Sequence, residues 1–243
     1  MSEALNNYLA VWQSKPVLRE VYGDFFRRIA DKAVAGPTLE LGGGIGNLRE
    51  YLPDVISSDI QFGPWLNVVA DAQRLPFAAA SLGNIVMLDV LHHIEHPLGF
   101  FDEAARVLRP GGRIVTVEPA ITALSWFFYN FIHEEPVVLS ADPLTRGAPD
   151  PKRNPYDSNQ AIPTLIATRH RARFEMLAPQ LRIAASEWFS FLAYPLSGGF
   201  KRWSLLTAAG AKRMIAAERR LEPLLGRFAG FRILTVYERR AAA

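Results

Sequence analysis

The sequence predicts an α/β protein, a doubly wound and mostly parallel sheet covered by helices on both faces. Two patterns carry the expectation. Short apolar runs suited to strands recur along the chain, and segments with helical spacing lie between them. The 243 residues, 49% hydrophobic with 17 glycines and 17 prolines, suffice to bury one large core. Composition also excludes chemistry: with no cysteine there is no disulfide framework, no thiolate zinc site and no cysteine nucleophile.

In chain order, Leu5, Leu9 and Trp12, then Val21, Phe25 and Ile29, repeat at helical spacing, so residues 1–36 read as one or two amphipathic helices ended by Gly36-Pro37. Strands are expected at residues 38–41, 55–58, 67–70, 84–88 and 113–117, the last (RIVTV) being the clearest. Helices are expected near residues 47–52 and over 97–108, the second opening on Pro97 and stopping before Pro110-Gly111-Gly112. Residues 181–189 and 231–238 supply late strands. Two insertions interrupt the alternation, a lid-like one over 119–165, rich in proline, and another over 196–230. Loops of this length are usually functional or disordered, and both leave strand ends on the side where a parallel sheet binds ligands. The whole chain, 1–243, reads as a single domain with 38–118 as its core.

Charge is uneven: residues 1–150 hold 11 Lys+Arg against 18 Asp+Glu, whereas residues 151–243 hold 16 against 6. A basic half marks either an anionic partner or solvated arginine-rich helix faces. The start, MSEALNNYLAVWQSK, has no secretory pattern, and the most apolar stretch, residues 121–132, is shorter than the roughly 20 residues of a span. A cytoplasmic protein is expected.

The chemistry begins at Glu40-Leu41-Gly42-Gly43-Gly44-Ile45-Gly46, a strand running into a glycine turn. A dinucleotide fingerprint needs glycine at position 47, which is asparagine, so the pattern is E-x-G-x-G-x-G. Asp59 ends a second strand, where an acidic residue suits two ribose hydroxyls. With Asp71-Ala72-Gln73-Arg74-Leu75-Pro76-Phe77 and Leu108-Arg109-Pro110-Gly111-Gly112, the chain resembles the class I S-adenosylmethionine-dependent methyltransferases, in the branch with D-A-x-x-L-P-F and L-R-P-G-G segments. The match covers about residues 38–118. It implies a Rossmann-like seven-stranded sheet with the last strand antiparallel, and the helical and loop insertions read above then follow strands five and six. It further implies S-adenosylmethionine as cofactor, with Gly42, Gly44 and Gly46 at its methionine portion, Glu40 nearby, Asp59 at the ribose, Asp71 and Ala72 at the adenine edge, and Asp89 facing the sulfonium. The short spacing from Asp59 to Asp71 leaves room for a turn where the family has a helix. Ile60, Phe62 or Trp65 would then cover the adenine, with ordinary core as the equal alternative for Trp65.

Methyl transfer is an in-line displacement that needs alignment and a dry pocket rather than a covalent nucleophile. An acceptor that must lose a proton needs a base, and His92 and His93, in Asp89-Val90-Leu91-His92-His93-Ile94-Glu95-His96 past the fourth strand, are the candidates; packing against the next helix is the alternative. The order H-H-x-E-H is not that of a metalloprotease helix, and no metal is expected. Glu118 and His133-Glu134-Glu135 could contact substrate or serve as a helix cap and a solvated turn. The stretch Trp126-Phe127-Phe128-Tyr129-Phe131 either fills core or roofs the pocket. A basic amphipathic helix is expected over residues 201–222, with Lys201, Lys212 and Arg219 outward, for weak contact with an anionic membrane or simply for water. The reading is a methyltransferase acting on a small-molecule or lipid-intermediate acceptor. The alternatives are an RNA methyltransferase, suggested by Arg169-His170-Arg171-Ala172-Arg173, and a non-catalytic cofactor-binding protein.

Overall fold

The computed structural model describes residues 3–131, 135–148, 150 and 152–241. Its strands are β1 (Thr38–Leu41), β2 (Ile56–Asp59), β3 (Val68–Val69), β4 (Leu82–Leu88), β5 (Leu108–Pro119), β6 (Leu181–Phe189) and β7 (Arg232–Arg239). They form one seven-stranded sheet in the order β3-β2-β1-β4-β5-β7-β6. β1 pairs in parallel with β2 and β4, β2 with β3, and β4 with β5; β7 runs antiparallel between β5 and β6. The helices are α1 (Glu3–Ser14), α2 (Pro16–Lys32), α3 (Pro97–Val107), α4 (Ala123–Phe131), α5 (Ile162–Ala167), α6 (Arg171–Leu177), α7 (Ala193–Ser197) and α8 (Ala208–Ala229).

Alternation along the central strands divides the core into two layers. In β4, Ile85 and Met87 join Phe100, Phe101 and Ala104 of α3 and Phe174 of α6, while Val86 between them joins Val21, Phe25 and Ile29 of α2. β5 divides likewise at Ile114 and Val115. Each such side chain, fully removed from water, contributes roughly 1.5–3 kcal/mol before the entropy of ordering it.

The local expectations fail in three places. The helix expected over 47–52 is a single 3₁₀ turn, Asn47–Glu50. The turn at Leu108–Gly112 lies inside β5 as an irregularity, with Leu82 opposite Leu108 but Asn84 opposite Arg113 and Gly111 at φ 76°. The helix expected over 201–222 is displaced to Ala208–Ala229. Thr207 caps it, its hydroxyl accepting the Gly210 N–H at 3.1 Å. The helix runs through Pro223, which is exposed, so the carbonyl released by the missing N–H can turn to water.

Candidate active site

Parallel pairing sends the C-terminal ends of β1, β2, β4 and β5 to one edge of the sheet, and the strand order reverses between β1 and β4, which opens a crevice there. A cavity of about 790 Å³ lies at this edge. That is toward the upper end of the roughly 300–1,000 Å³ usual for ligand pockets.

The glycine loop forms one wall. Gly42, Gly44 and Gly46 take φ of 68°, 49° and 77°, values that favour glycine. A Cβ on Gly42 would lie 2.2 Å from Val90 Cγ2, whereas one on Gly44 would meet only Gly42 O at 3.8 Å, leaving a bare backbone edge on the cavity. Asp59 braces the loop: Oδ2 accepts the Gly44 N–H at 3.0 Å and Oδ1 the Gln61 N–H at 2.9 Å. Glu40 is buried and accepts the Ser57 hydroxyl at 2.5 Å; burial, opposed by that bond, pushes its carboxyl up to about 7. Glu40, Gly42, Gly44, Asp59, Ile60, Asp71, Ala72 and Asp89 all line the cavity. Gly46 does not. A Cβ there would meet Trp65 Cδ1 at 2.9 Å, so Gly46 turns the loop over Trp65. Trp65 itself donates from Nε1 to Gly44 O at 2.5 Å and props the loop from behind, while Phe62 stands 68% exposed and off the wall.

The floor is charged. Asp89 sits in the left-handed region at φ 58°, a strained placement for a side-chain-bearing residue, with its N–H on Val117 O at 3.0 Å. Its carboxylate pairs with the buried Arg232, whose guanidinium lies 4.1 Å over the Tyr194 ring and 5.4 Å over that of Phe25. Beside them, Glu118 Oε1 accepts the N–H groups of Val90 and Leu91 at 3.0 and 2.8 Å, pinning the turn after β4. Glu118 Oε2 meets His92 Nδ1 at 2.6 Å, and Glu135 lies 3.4 Å from His92 Nε2. Burial alone would lower the His92 pKa, but Glu118 and then Glu135 outweigh it and raise it to about 9. Glu135 falls to about 2 because His92 outweighs its burial. His92 is therefore an imidazolium at neutral pH with both nitrogens on carboxylates, a poor proton acceptor. His92, His93 and Glu135 bring donor atoms within 4.8 Å of one another, as do Asp89, His92 and Glu118. His93 is different. It is half-buried on the cavity wall, its Nδ1 lies 3.3 Å from Asp157 O, and burial followed by the charge of His92 lowers its pKa. His133 and Glu134 lie outside the described residues.

Residues 39–116 match the family model of the methyltransferase domain. Those residues are a methyltransferase domain of the S-adenosylmethionine-dependent kind. Its fold is similar to that of a SAM-dependent methyltransferase from Thermotoga maritima, at 15% identity and TM-score 0.55 over 93% of this chain and 91% of that one. It is also similar to one from Archaeoglobus fulgidus, at 17% identity and TM-score 0.54 over 91% and 94%. A third, a methyltransferase from Haloferax volcanii solved in complex with the Trm112 methyltransferase activator, gives 15% identity and TM-score 0.50 over 93% and 95%. No curated protein matches the sequence.

The residues of the methyltransferase that fit the cofactor are thus its own: a glycine edge that a Cβ would fill, an acid at the end of β2, and a floor suited to a cation. Asp89, Glu118 and Glu135 stand against His92 and Arg232, leaving one net negative charge below the cavity. Sequence reasoning passed over Arg232 and two of the tyrosines around it, Tyr22 and Tyr194, all on the cavity wall. An arginine opening the run Arg232-Ile233-Leu234 reads equally well as a solvated strand end, and only the pairing of β7 with β5 brings it to Asp89. Other expectations are corrected. Arg219 does not face outward alone but binds Asp24, at 3.1 Å through Nε, and Lys201 lies before α8 on the cavity wall, so Lys201, Lys212 and Arg219 share no helix face. In the basic run, Arg173 holds both carboxylate oxygens of Asp142 at 2.8 and 2.9 Å, and Arg171 donates to Ile183 O at 2.6 Å. The aromatic stretch divides: Phe128 and Tyr129 line the cavity, whereas Trp126, Phe127 and Phe131 are exposed and neither fill core nor roof the pocket.

Proposed function

We propose that this methyltransferase acts on a small or lipid-like acceptor with an apolar body, and that His93 takes the proton when the acceptor must lose one. The observation that supports the reading is that one cavity joins the glycine loop to an aromatic wall of Tyr22, Phe128, Tyr129, Tyr194 and Phe200. The cofactor, when bound, supplies the methyl group and its sulfonium charge. Gly42 and Gly44 give backbone room for its methionine portion, with Gly46 setting the turn and Glu40 behind the loop. Asp59 accepts from the ribose, and Asp71, Ala72 and Ile60 border the adenine. Asp89 and the net negative floor favour the sulfonium. The aromatic wall holds the acceptor and excludes water, which keeps attack aligned with the methyl.

His93 is the base in this scheme because it is neutral at pH 7 and reaches the cavity. His92 is a positioning residue, held by Glu118, that keeps its neighbour uncharged. The basic run does not favour RNA, since Arg171 and Arg173 are spent on internal partners. Incubation with cell extract and a methyl-labelled donor tests the reading. Label is expected in small organic-extractable product and absent from RNA, with the Gly44→Val variant inactive as the control. Label confined to RNA would overturn the acceptor assignment.

A further inference from the structure

α4 presents two opposite faces. Phe128 and Tyr129 turn inward to the cavity, whereas Leu124, Trp126, Phe127 and Phe131 stand in water, Phe127 at 60% and Phe131 at 74% exposure. α4 packs beside α8, and the C-terminal half of α8 shows the same inversion. At about 100° per residue, Leu221, Leu224 and Phe228 fall within about 60° of one another, on the side away from the buried Ala211, Glu218 and Gly226. Leu224 is 82% exposed and Phe228 64%. Large apolar side chains gathered in water mark an interaction site.

The charges around them select the occupant. Arg213, Arg220 and Arg227 follow one another at seven-residue spacing along one edge of the leucine stripe. Arg227 stacks 4.6 Å over Trp188, and Arg213 and Arg220 meet no carboxylate among the described residues. Both carboxylates of α8 are turned inward: Glu218 accepts the N–H groups of Phe191, Leu192 and Ala193, and Glu222 is bound by Arg28 at 2.7 Å. α4 has no charged residue. A second copy of the chain would bring two arginine rows into one interface with no acid on the face to meet them. An anionic bilayer satisfies the apolar groups and the arginines together, and exposed tryptophan and phenylalanine suit its interface.

We propose that the α4–α8 face seats the methyltransferase on the surface of an anionic lipid bilayer. Phe127, Phe131, Leu224 and Phe228 enter the acyl boundary, and Arg213 and Arg220 meet headgroup phosphates. α4 then stands between the bilayer and the cavity, a separation of about 10 Å, one helix diameter. The docking is read from the surface alone and goes beyond the acceptor assignment.

Cosedimentation with phosphatidylcholine vesicles, with and without phosphatidylglycerol, tests it. The whole chain is expected to sediment with the anionic vesicles only and to be released by added salt. Arg213→Gln with Arg220→Gln is expected to weaken binding about 25-fold, at about five-fold per arginine. Leu224→Ser with Phe228→Ser is expected to abolish it. All of these positions are exposed, so unchanged circular-dichroism melting checks the fold of each variant, and calorimetric binding of S-adenosylhomocysteine separates failure of the docking from failure of the active-site reading. The proposal is overturned by no sedimentation at low salt, by equal binding to neutral vesicles, by an undiminished Leu224/Phe228 variant, or by a dimer in sedimentation velocity that those same substitutions dissolve.

Discussion

His92 and His93 are neighbours in sequence whose pKa values move in opposite directions, and the division of labour proposed for them follows from that. His93 must be neutral to accept a proton, and its lowered pKa puts the acid limb of kcat/KM below pH 6.5. His92 loses its charge through about 9, which sets an alkaline limb. A pH–rate profile checks both: His93→Gln is expected to lower kcat by about 10²–10⁴-fold and erase the acid limb, whereas His92→Gln should remove the alkaline limb and, by removing the neighbouring charge, move the acid limb upward. Stability carries a matching signature. The folded pKa of His92 lies above its unfolded value near 6.5, so its contribution is complete below that value and is lost as pH rises through about 9. Melting curves from pH 6.5 to 10 are expected to show a falling Tm in the wild type and a flatter dependence in His92→Gln. The sequence offered both histidines as the base but not a choice between them, because paired histidines look alike until the chain brings Glu118 from β5 and Glu135 from the insertion onto one of them.

At the scale of elements, α8 shows what periodicity can miss. Its residues do repeat with helical spacing, but the apolar residues at that spacing, Met214, Ala217 and Leu221, are wholly or partly exposed. The buried line is Ala211, Glu218, Gly226 and Ala229, three small residues and one acid, which a hydrophobicity pattern cannot weight. Small size matters because the helix lies close against β6: a Cβ on Gly226 would come within 2.4 Å of Trp188 O, a backbone atom that cannot move aside cheaply. Gly226→Ala is therefore expected to lower stability, by about 1–3 kcal/mol for an overpacked site, although alanine is intrinsically the better helix former. Thr207→Ala removes the cap and is expected to cost about 1 kcal/mol. Urea unfolding checks both, and a stabilising Gly226→Ala would contradict the close approach. The strands were better placed by sequence than this helix, because β4 and β5 are apolar on both faces and bounded by turn residues.

For the whole molecule, the sheet order does what no local signal could: it gathers Gly42, Gly44, Asp59, Asp71 and Asp89 along one cavity wall. Their common destination was legible from the resemblance of the motifs. That of Arg232 was not, since it arrives from a strand whose antiparallel place is a property of the complete sheet. Charge followed the same division. The excess of basic residues after position 150 was plain in the composition, but which arginines stay free depends on Asp24 and Asp142, carboxylates from other elements. Among the described residues no helix is long and apolar enough to cross a membrane. The central claim is that the bare backbone edge at Gly44 receives the methyl donor. Isothermal calorimetry with S-adenosylmethionine and S-adenosylhomocysteine tests it most directly: saturable one-to-one binding to the wild type and none to a folded Gly44→Val is the expected result, and undiminished binding to Gly44→Val, or binding of NADH in their place, would contradict it.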